Sequence, residues 1–386
     1  MKSSTSLVFT GDIGFDKYME GRWQDPDLID SEILSFLHSS DHVIANVEGP
    51  IASIPLNTAT EGAAQLLHTI DPGAVSVLNS MHADIWNICN NHIMDAGPDG
   101  VKETLSVAAK NKVLTIGAGM DLNEASRPLI LDEADGIGLI SVGYRRGCKP
   151  ADTDKAGCFL WNETELIQER INEVKSKCRW CIIVSHGGEE FTALPSPYTR
   201  DRYLNFLTMG ADAVVSHHPH VPMNYEKVGD KYIFYSLGNF IFDTPYQRAQ
   251  YYTERGIVLK LNVSEDSISF EALGIKIDRE SERVVSTDLP DIFTDVPAEE
   301  YKLLAPLSAK AFVAATKRQQ IFMKNMSENA TDKEWEEHFA NPKRSGRVEG
   351  EGLDFFIICP LAAETEKGDW RKSKLEAVKE YILNSM

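Results

Sequence analysis

Short runs of apolar, β-branched residues alternate with helix-period segments through the first 290 residues, which restricts the chain to an α/β architecture. Residues 7–9, 42–45, 84–89, 113–116, 129–131, 138–142, 181–184 and 213–215 read as strands. Residues 31–38, 72–81, 98–110, 163–175 and 198–209 read as helices, the third with a proline suited to its first turn. From Met223 onward the runs lengthen, at 231–235, 256–263 and 268–277, with turn signals at Gly229-Asp230 and Glu265-Asp266. That change predicts a second, more antiparallel sheet, and hence an α/β sandwich of two mixed sheets flanked by helices. Beyond Leu289-Pro290 the pattern becomes helical at 297–323 and 370–383, polar at 325–348 and apolar at 355–358. Two parts follow: a domain over residues 1–290 and a mainly helical extension over 291–386.

The 39 basic and 58 acidic residues of the 386 leave a net charge of −19, with 42% hydrophobic and 25% charged residues. This balance excludes disorder and a disulfide-knotted mini-protein, and it lacks the basic footprint of a nucleic-acid binder. An anionic ligand would need a local cationic focus to overcome the acidic surface, and bound metal ions supply one. The polar start and the break at Gly11-Asp12 do not form a signal peptide, and no window approaches the ~20 apolar residues of a spanning helix. A cytoplasmic protein without stable membrane insertion is the expectation, and the scattered cysteines at 89, 148, 158, 178, 181 and 359 then read as reduced thiols. Cys178-x-x-Cys181 has no second pair to make a zinc ribbon and reads as core; Gly117-x-Gly119 lacks the third glycine of a dinucleotide fingerprint.

Metal-capable residues fall where the strands end. Asp12 follows the first strand, Asn46-Val47-Glu48 the second and Asn91-His92 the third. His186 ends a fourth strand, and His218-Pro219-His220 follows a fifth. In open α/β sheets the loops at the carboxyl edge converge on the ligand crevice. Carboxylate, amide and imidazole donors together suit Mn, Fe or Zn and disfavour soft thiolate-selective ions.

The segments Gly11-Asp12, Asn46-x-Glu48 and Asn90-Asn91-His92-x-x-Asp95-x-Gly97 occur in order with Gly117-x-Gly119, Glu124-Ala125 and His186-Gly-Gly-Glu-Glu190. His218-Pro-His220-Val221 and Ser236-Leu-Gly-Asn239-Phe240 complete the series. Over roughly residues 6–245 the chain resembles the CapA family of capsule and poly-γ-glutamate synthesis proteins, within the calcineurin-like metallophosphoesterase superfamily. The resemblance implies one or two divalent ions and a phosphoester-hydrolysing site. Asp12 and His220 would hold one ion, and Asn91, His186 and His218 the other, with Glu48 shared. It implies His92 as general acid, oriented by Asp95. Lys17, Glu190 and Asn239 are the candidate substrate contacts. The partner implied is a small phosphoester or, for a non-hydrolytic assembly factor, a polyanionic polyglutamate or capsule precursor.

Two positions depart from the pattern. Gly14 stands where superfamily phosphoesterases usually carry a metal-binding histidine, so the first ion has fewer ligands. Gly187 replaces a bulky aromatic and implies a roomier crevice. Lys17, Arg145 and Arg146 either meet an anionic ligand or are solvated, and Glu189 and Glu190 either orient a ligand or face solvent.

Overall fold

The computed structural model describes residues 4–54, 66–131, 136–145, 147–339 and 374–386. Its strands in chain order are β1 (Ser4–Ile13), β2 (His42–Val47), β3 (Ala83–Asn87), β4 (Leu114–Ile116), β5 (Ala118–Gly119) and β6 (Leu129–Ile130). There follow β7 (Ile137–Gly143), β8 (Gly157–Cys158), β9 (Trp180–His186), β10 (Ala213–His217) and β11 (Tyr225–Val228). The last are β12 (Lys231–Phe234), β13 (Asn239–Ile241), β14 (Arg255–Ser264), β15 (Ile268–Asp278) and β16 (Arg283–Thr287).

One sheet has the order β16-β15-β14-β1-β2-β3-β4, with β13 beside the end of β1. The other has the order β11-β12-β10-β9-β7-β6, and β5 pairs with β8. Both main sheets are mixed. In the first, β1 to β4 run parallel while β14, β15 and β16 add antiparallel strands. In the second, β7, β9, β10 and β12 are parallel, with β6 and β11 antiparallel at the edges.

The late strands therefore do not build a sheet of their own, contrary to the sequence expectation. The ten-residue β1 leaves one edge open, and β14 closes along it from Ser4 opposite Ser264 to Phe9 opposite Leu259. Meanwhile β12 joins β10 in parallel. A strand edge left unpaired is a template for the next strand, whatever the distance along the chain.

Alternation along each strand sorts the core. Leu7 and Phe9 of β1 and Ile182 and Val184 of β9 belong to the apolar layer between the sheets. Val8 turns outward with Val43, Ala45 and Trp86 under the helices of the first sheet. Cys181 and Ile183 face Ile167, Ile171, Tyr203 and Phe206 outside the second. The helices lie close to their sequence positions: Ser31–His38, Gly97–Lys110, Thr164–Lys177 and Pro197–Met209. Residues 72–81 divide into a 3-10 turn, Pro72–Ala74, and a helix, Val75–Ser80.

The helix Ala298–Phe322 lies against the body, with Leu304, Leu307 and Ala311 packed on Ala193 and Leu194 and on Tyr381 and Ile382 of the final helix, Lys374–Leu383. Tyr301 Oη donates to the Pro195 carbonyl at 2.9 Å and Ser308 Oγ to the Leu194 carbonyl at 3.2 Å. Among the described residues no helix is long and apolar enough to cross a membrane. The apolar run 355–358, Arg146 and Cys359 lie outside the described residues.

Candidate metal centre

The parallel strands bring their carboxyl ends to one place. In register, Asp12 of β1 lies beside Asn46 of β2, and Asn46 beside Asn87 of β3. Asn46 Nδ2 donates to Asp12 Oδ1 at 2.7 Å, Asn87 Nδ2 to Asn46 Oδ1 at 2.6 Å, and Ser141 Oγ of the other sheet to Asn87 Oδ1 at 2.5 Å. This buried polar row leaves Asp12 Oδ2 free for other duties. On the facing sheet His217 of β10 pairs with His186 of β9, and the next residue, His218, brings its ring to 5.1 Å from that of His186.

Close backbone approach completes the arrangement. Gly11 lies so near Gly238 that a Cβ there would sit 2.2 Å from the Gly238 carbonyl oxygen. Only glycine permits this contact. It allows β13 to run beside β1 with Asn239 opposite Asp12. His218 (φ 96°) and His220 (φ 60°), either side of Pro219, and Phe191 (φ 61°) all occupy left-handed backbone conformations. Such conformations are costly for these residue types and cluster where side chains are held for a task.

The fully buried Glu48 carboxylate is the hub. Its Oε1 lies 3.6 Å from His186 Nε2, 3.6 Å from His220 Nε2 and 3.9 Å from His92 Nε2. Asp12 Oδ2 is 3.2 Å from His220 Nδ1, and Asn91 Oδ1 is 2.9 Å from His186 Nε2. Asp12, Glu48 and His186 each offer one ligand atom within 4.8 Å of the others, and so do Glu48, His218 and His220. All six positions named from the sequence therefore gather in one cluster. Glu48 is common to both triplets, although these pair Asp12 with His186 and His218 with His220, across the expected division.

Five buried atoms in this cluster lack a hydrogen-bond partner: Asp12 Oδ2, both Glu48 oxygens, His186 Nδ1 and His218 Nδ1. Buried polar atoms are normally paired, and orphaned carboxylate oxygens facing imidazole nitrogens fit a divalent cation. The electrostatics agree. Burial opposes ionisation of Glu48, yet His220, His186 and His92 hold its carboxyl well below the usual range. Burial also opposes the charged form of His220, but Glu48 and Asp12 raise it to about 10. His218 is pushed down by burial and by its neighbours His186 and His220, which leaves it a neutral donor.

His92 sits at the rim, its Nδ1 2.8 Å from Asp95 Oδ2. Burial works against its charged form, while Asp95 and Glu48 raise its proton affinity. The Asn90 side chain pins this turn, accepting from the His92 backbone N–H at 3.0 Å and donating to the Val47 carbonyl at 2.7 Å.

Several sequence expectations change here. Asn239 does not face a ligand: it is fully buried, with Oδ1 2.9 Å from His220 Nδ1 and Nδ2 donating to Gln247 and Thr253. It orients an imidazole, as partners of metal-binding histidines do. Gly187 does not open the crevice, because Tyr144 and Trp161 fill the space beside it, at 2.5 and 2.7 Å from where a Cβ would stand. Tyr144 also packs on His218, with ring centres 4.5 Å apart. Glu189 turns to the start of helix Pro197–Met209, accepting from the Ser196 N–H, Ser196 Oγ and Thr199 Oγ1, and is buried, so it does not face solvent. Glu190 accepts from Tyr246 Oη at 3.2 Å. Lys17 lies beside Asp16, Nζ to Oδ2 3.3 Å, along a cavity of about 350 Å³ that Phe15, Glu20 and Trp23 also line. Arg145 is exposed. Cys178 and Cys181 lie in the core, where burial lifts the Cys181 thiol to about 12.

Sequence reasoning missed His68, Asp16, Asn87, Ser141, Tyr144 and Phe242. Asn87 was signalled as the polar break in an apolar strand; the others carry no motif.

Two mixed sheets packed face to face, with carboxylate, amide and imidazole donors at their joined carboxyl edge, define a metallophosphoesterase-like α/β domain. Within that class the chain belongs to the bacterial capsule synthesis protein family PGA_cap, whose model matches residues 6–244. It is 30% identical over 250 residues to the PGA biosynthesis protein CapA of Bacillus subtilis, covering 64% of this chain and 65% of that protein. It is 23% identical over 254 residues to the capsule biosynthesis protein CapA of Bacillus anthracis, covering 64% and 61%. A probable polyglutamine synthesis accessory protein of Mycobacterium tuberculosis matches at 23% over 197 residues, 46% of this chain and 50% of that one. The chain thus spans a little under two thirds of the length of the two CapA relatives.

Proposed function

We propose that the chain is a metal-dependent phosphoester hydrolase of the CapA type, acting in capsule or poly-γ-glutamate synthesis. The carrying observation is Glu48, buried, with both carboxylate oxygens unpartnered and three imidazoles within 3.9 Å of one of them. Asp12, Glu48, Asn91, His186, His218 and His220 would hold one or two divalent ions, Mn, Fe or Zn. Ions held there supply Lewis acidity toward a phosphoryl oxygen and acidify water.

The chain's own residues do the rest. Asp95 accepts from His92 Nδ1–H, which leaves the Nε2 proton for the departing alkoxide oxygen. Asn239 and the Asn46–Asn87–Ser141 row fix His220 and Asp12. Tyr144 and Phe242 close apolar walls against His218 and His220 and limit bulk water. Lys17 and Glu190 would contact the substrate. The test is turnover of bis(p-nitrophenyl) phosphate with added Mn or Zn. Loss on Glu48→Ala is expected with this aryl substrate, and loss on His92→Ala with a diester whose leaving group is an alkoxide; unchanged turnover in both variants would overturn the assignment.

A second reading has its own support. Gly14 removes one histidine from the first ion, and relatives bear names from polymer synthesis. In that case the centre binds carboxylates of a polyglutamate or capsule precursor without hydrolysis. Titration of oligo-γ-glutamate into metal-loaded protein separates the two: no heat at millimolar ligand ends the binding role.

A further inference from the structure

A second carboxylate–imidazole pair stands behind the first. His68 is 6% exposed, and its Nδ1 lies 2.8 Å from Asp16 Oδ2. Its backbone N–H donates to Asp95 Oδ2 at 2.9 Å, the same oxygen that meets His92 Nδ1. Its ring stands perpendicular to the His92 ring, at 89° with centres 4.3 Å apart. Phe242 packs against His68 at 5.0 Å and on to His220 at 4.9 Å. Lys17 Nζ reaches both Asp16 Oδ2 and the Leu67 carbonyl, tying residues 16–17 to residues 67–68.

We propose that Asp16 and His68 are positioning residues for His92: Asp16 anchors His68, and His68 then locks both the Asp95 carboxylate and the His92 ring. The inference rests on the hydrolase reading for its kinetic consequence but not for its geometry. Asp95 Oδ2 alone, accepting only from His92, could swing about its χ2 torsion. The second donor, from the His68 backbone, fixes the oxygen, and the fixed oxygen sets which His92 nitrogen carries the proton. The perpendicular His68 ring opposes rotation of the His92 ring. Burial, with His92 adding, lowers the proton affinity of His68 in spite of Asp16, so the anchor is a neutral imidazole donating Nδ1–H to a carboxylate.

The experiment compares Asp16→Ala with Asp16→Asn, whose side-chain oxygen still accepts from His68. Two substrates are used, a phosphodiester with an alkyl leaving group and one with p-nitrophenol. A general acid matters for the alkoxide and little for p-nitrophenolate. Asp16→Ala should lower kcat on the alkyl substrate by about tenfold to a hundredfold, the scale of a misplaced catalytic group, with metal content unchanged. It should barely alter the aryl substrate, and Asp16→Asn should recover most of the loss. Independently of turnover, the imidazole N–H proton of His92 should be visible by NMR in wild type and Asp16→Asn and lost to water exchange in Asp16→Ala. Equal losses on both substrates, or an unaltered His92 N–H signal in Asp16→Ala, would overturn the proposal. If wild type turns over neither substrate while the NMR difference appears, the hydrolase assignment fails and the positioning role stands.

Discussion

The ring of Phe242 occupies the place beside Gly14: a Cβ at Gly14 would fall 2.7 Å from Phe242 Cδ2 and 2.8 Å from Cε2. The absent histidine is therefore matched by an aromatic side chain, which stacks on His220 at 22°. Gly14→Ala should destabilise the protein by about 1–3 kcal/mol through overpacking. The double variant Gly14→Ala/Phe242→Leu should recover part of that loss, as read from urea midpoints.

Cation binding by the cluster should appear as stability. With Mn or Zn at 100 times its Kd, the gain is about 2.7 kcal/mol. A chelator should reverse it, and Glu48→Gln should abolish it, because both ligand triplets contain Glu48. Calorimetric melts of the two proteins with and without metal make the comparison.

Asp243 forms a different kind of buried centre. Its side chain is fully buried between two arginines, with Oδ2 2.8 Å from Arg248 Nε and Oδ1 3.3 Å from Arg279 Nε. Asp243→Ala removes the carboxylate that the two arginines share, while Arg248 keeps Glu282 and Arg279 keeps Glu254, and it should cost about 1–3 kcal/mol by denaturant unfolding. Replacing the exposed Asp266, which meets Arg179 at 3.6 Å, should change stability by less than about 1 kcal/mol.

His68 gives stability a slope with pH. Burial and His92 lower its pKa from 6.5 in the native state. Below pH 6.5 the unfolded chain therefore binds a proton that the native state refuses, and this contribution to stability falls as pH drops toward the native value. His68→Gln should flatten the stability curve just below pH 6.5. Urea unfolding of both proteins from pH 7.5 to 5 measures the difference.

What the sequence disclosed was local. Asp12, Glu48, Asn91, His186, His218 and His220 could be found because each follows a strand whose apolar run is readable, and parallel strands carry their ends to one edge. Helices such as Ser31–His38 were legible from their period. The pairing of β14 with β1 was not, since it joins residues some 250 positions apart and depends on which edge stays open. His68 escaped for a related reason. It belongs to no motif, and its importance comes from Asp16 and Asp95, 52 and 27 residues away. The space beside Gly187 was misjudged because Tyr144 and Trp161, remote in sequence, fill it.

The helix Ala298–Phe322 ties this chemistry to a stretch of chain that the family match, ending at residue 244, does not reach. Tyr301 and Ser308 grip the backbone at Pro195 and Leu194, on the segment that continues from His186, and Ala315 shares an apolar cluster with Phe191 and Val221, immediate followers of Glu190 and His220. A polypeptide cut at residue 290 would retain every candidate metal ligand yet leave bare the apolar surface of Leu194, Phe191 and Val221 that this helix covers. The boundary that composition suggests is thus a poor place to divide the gene for expression.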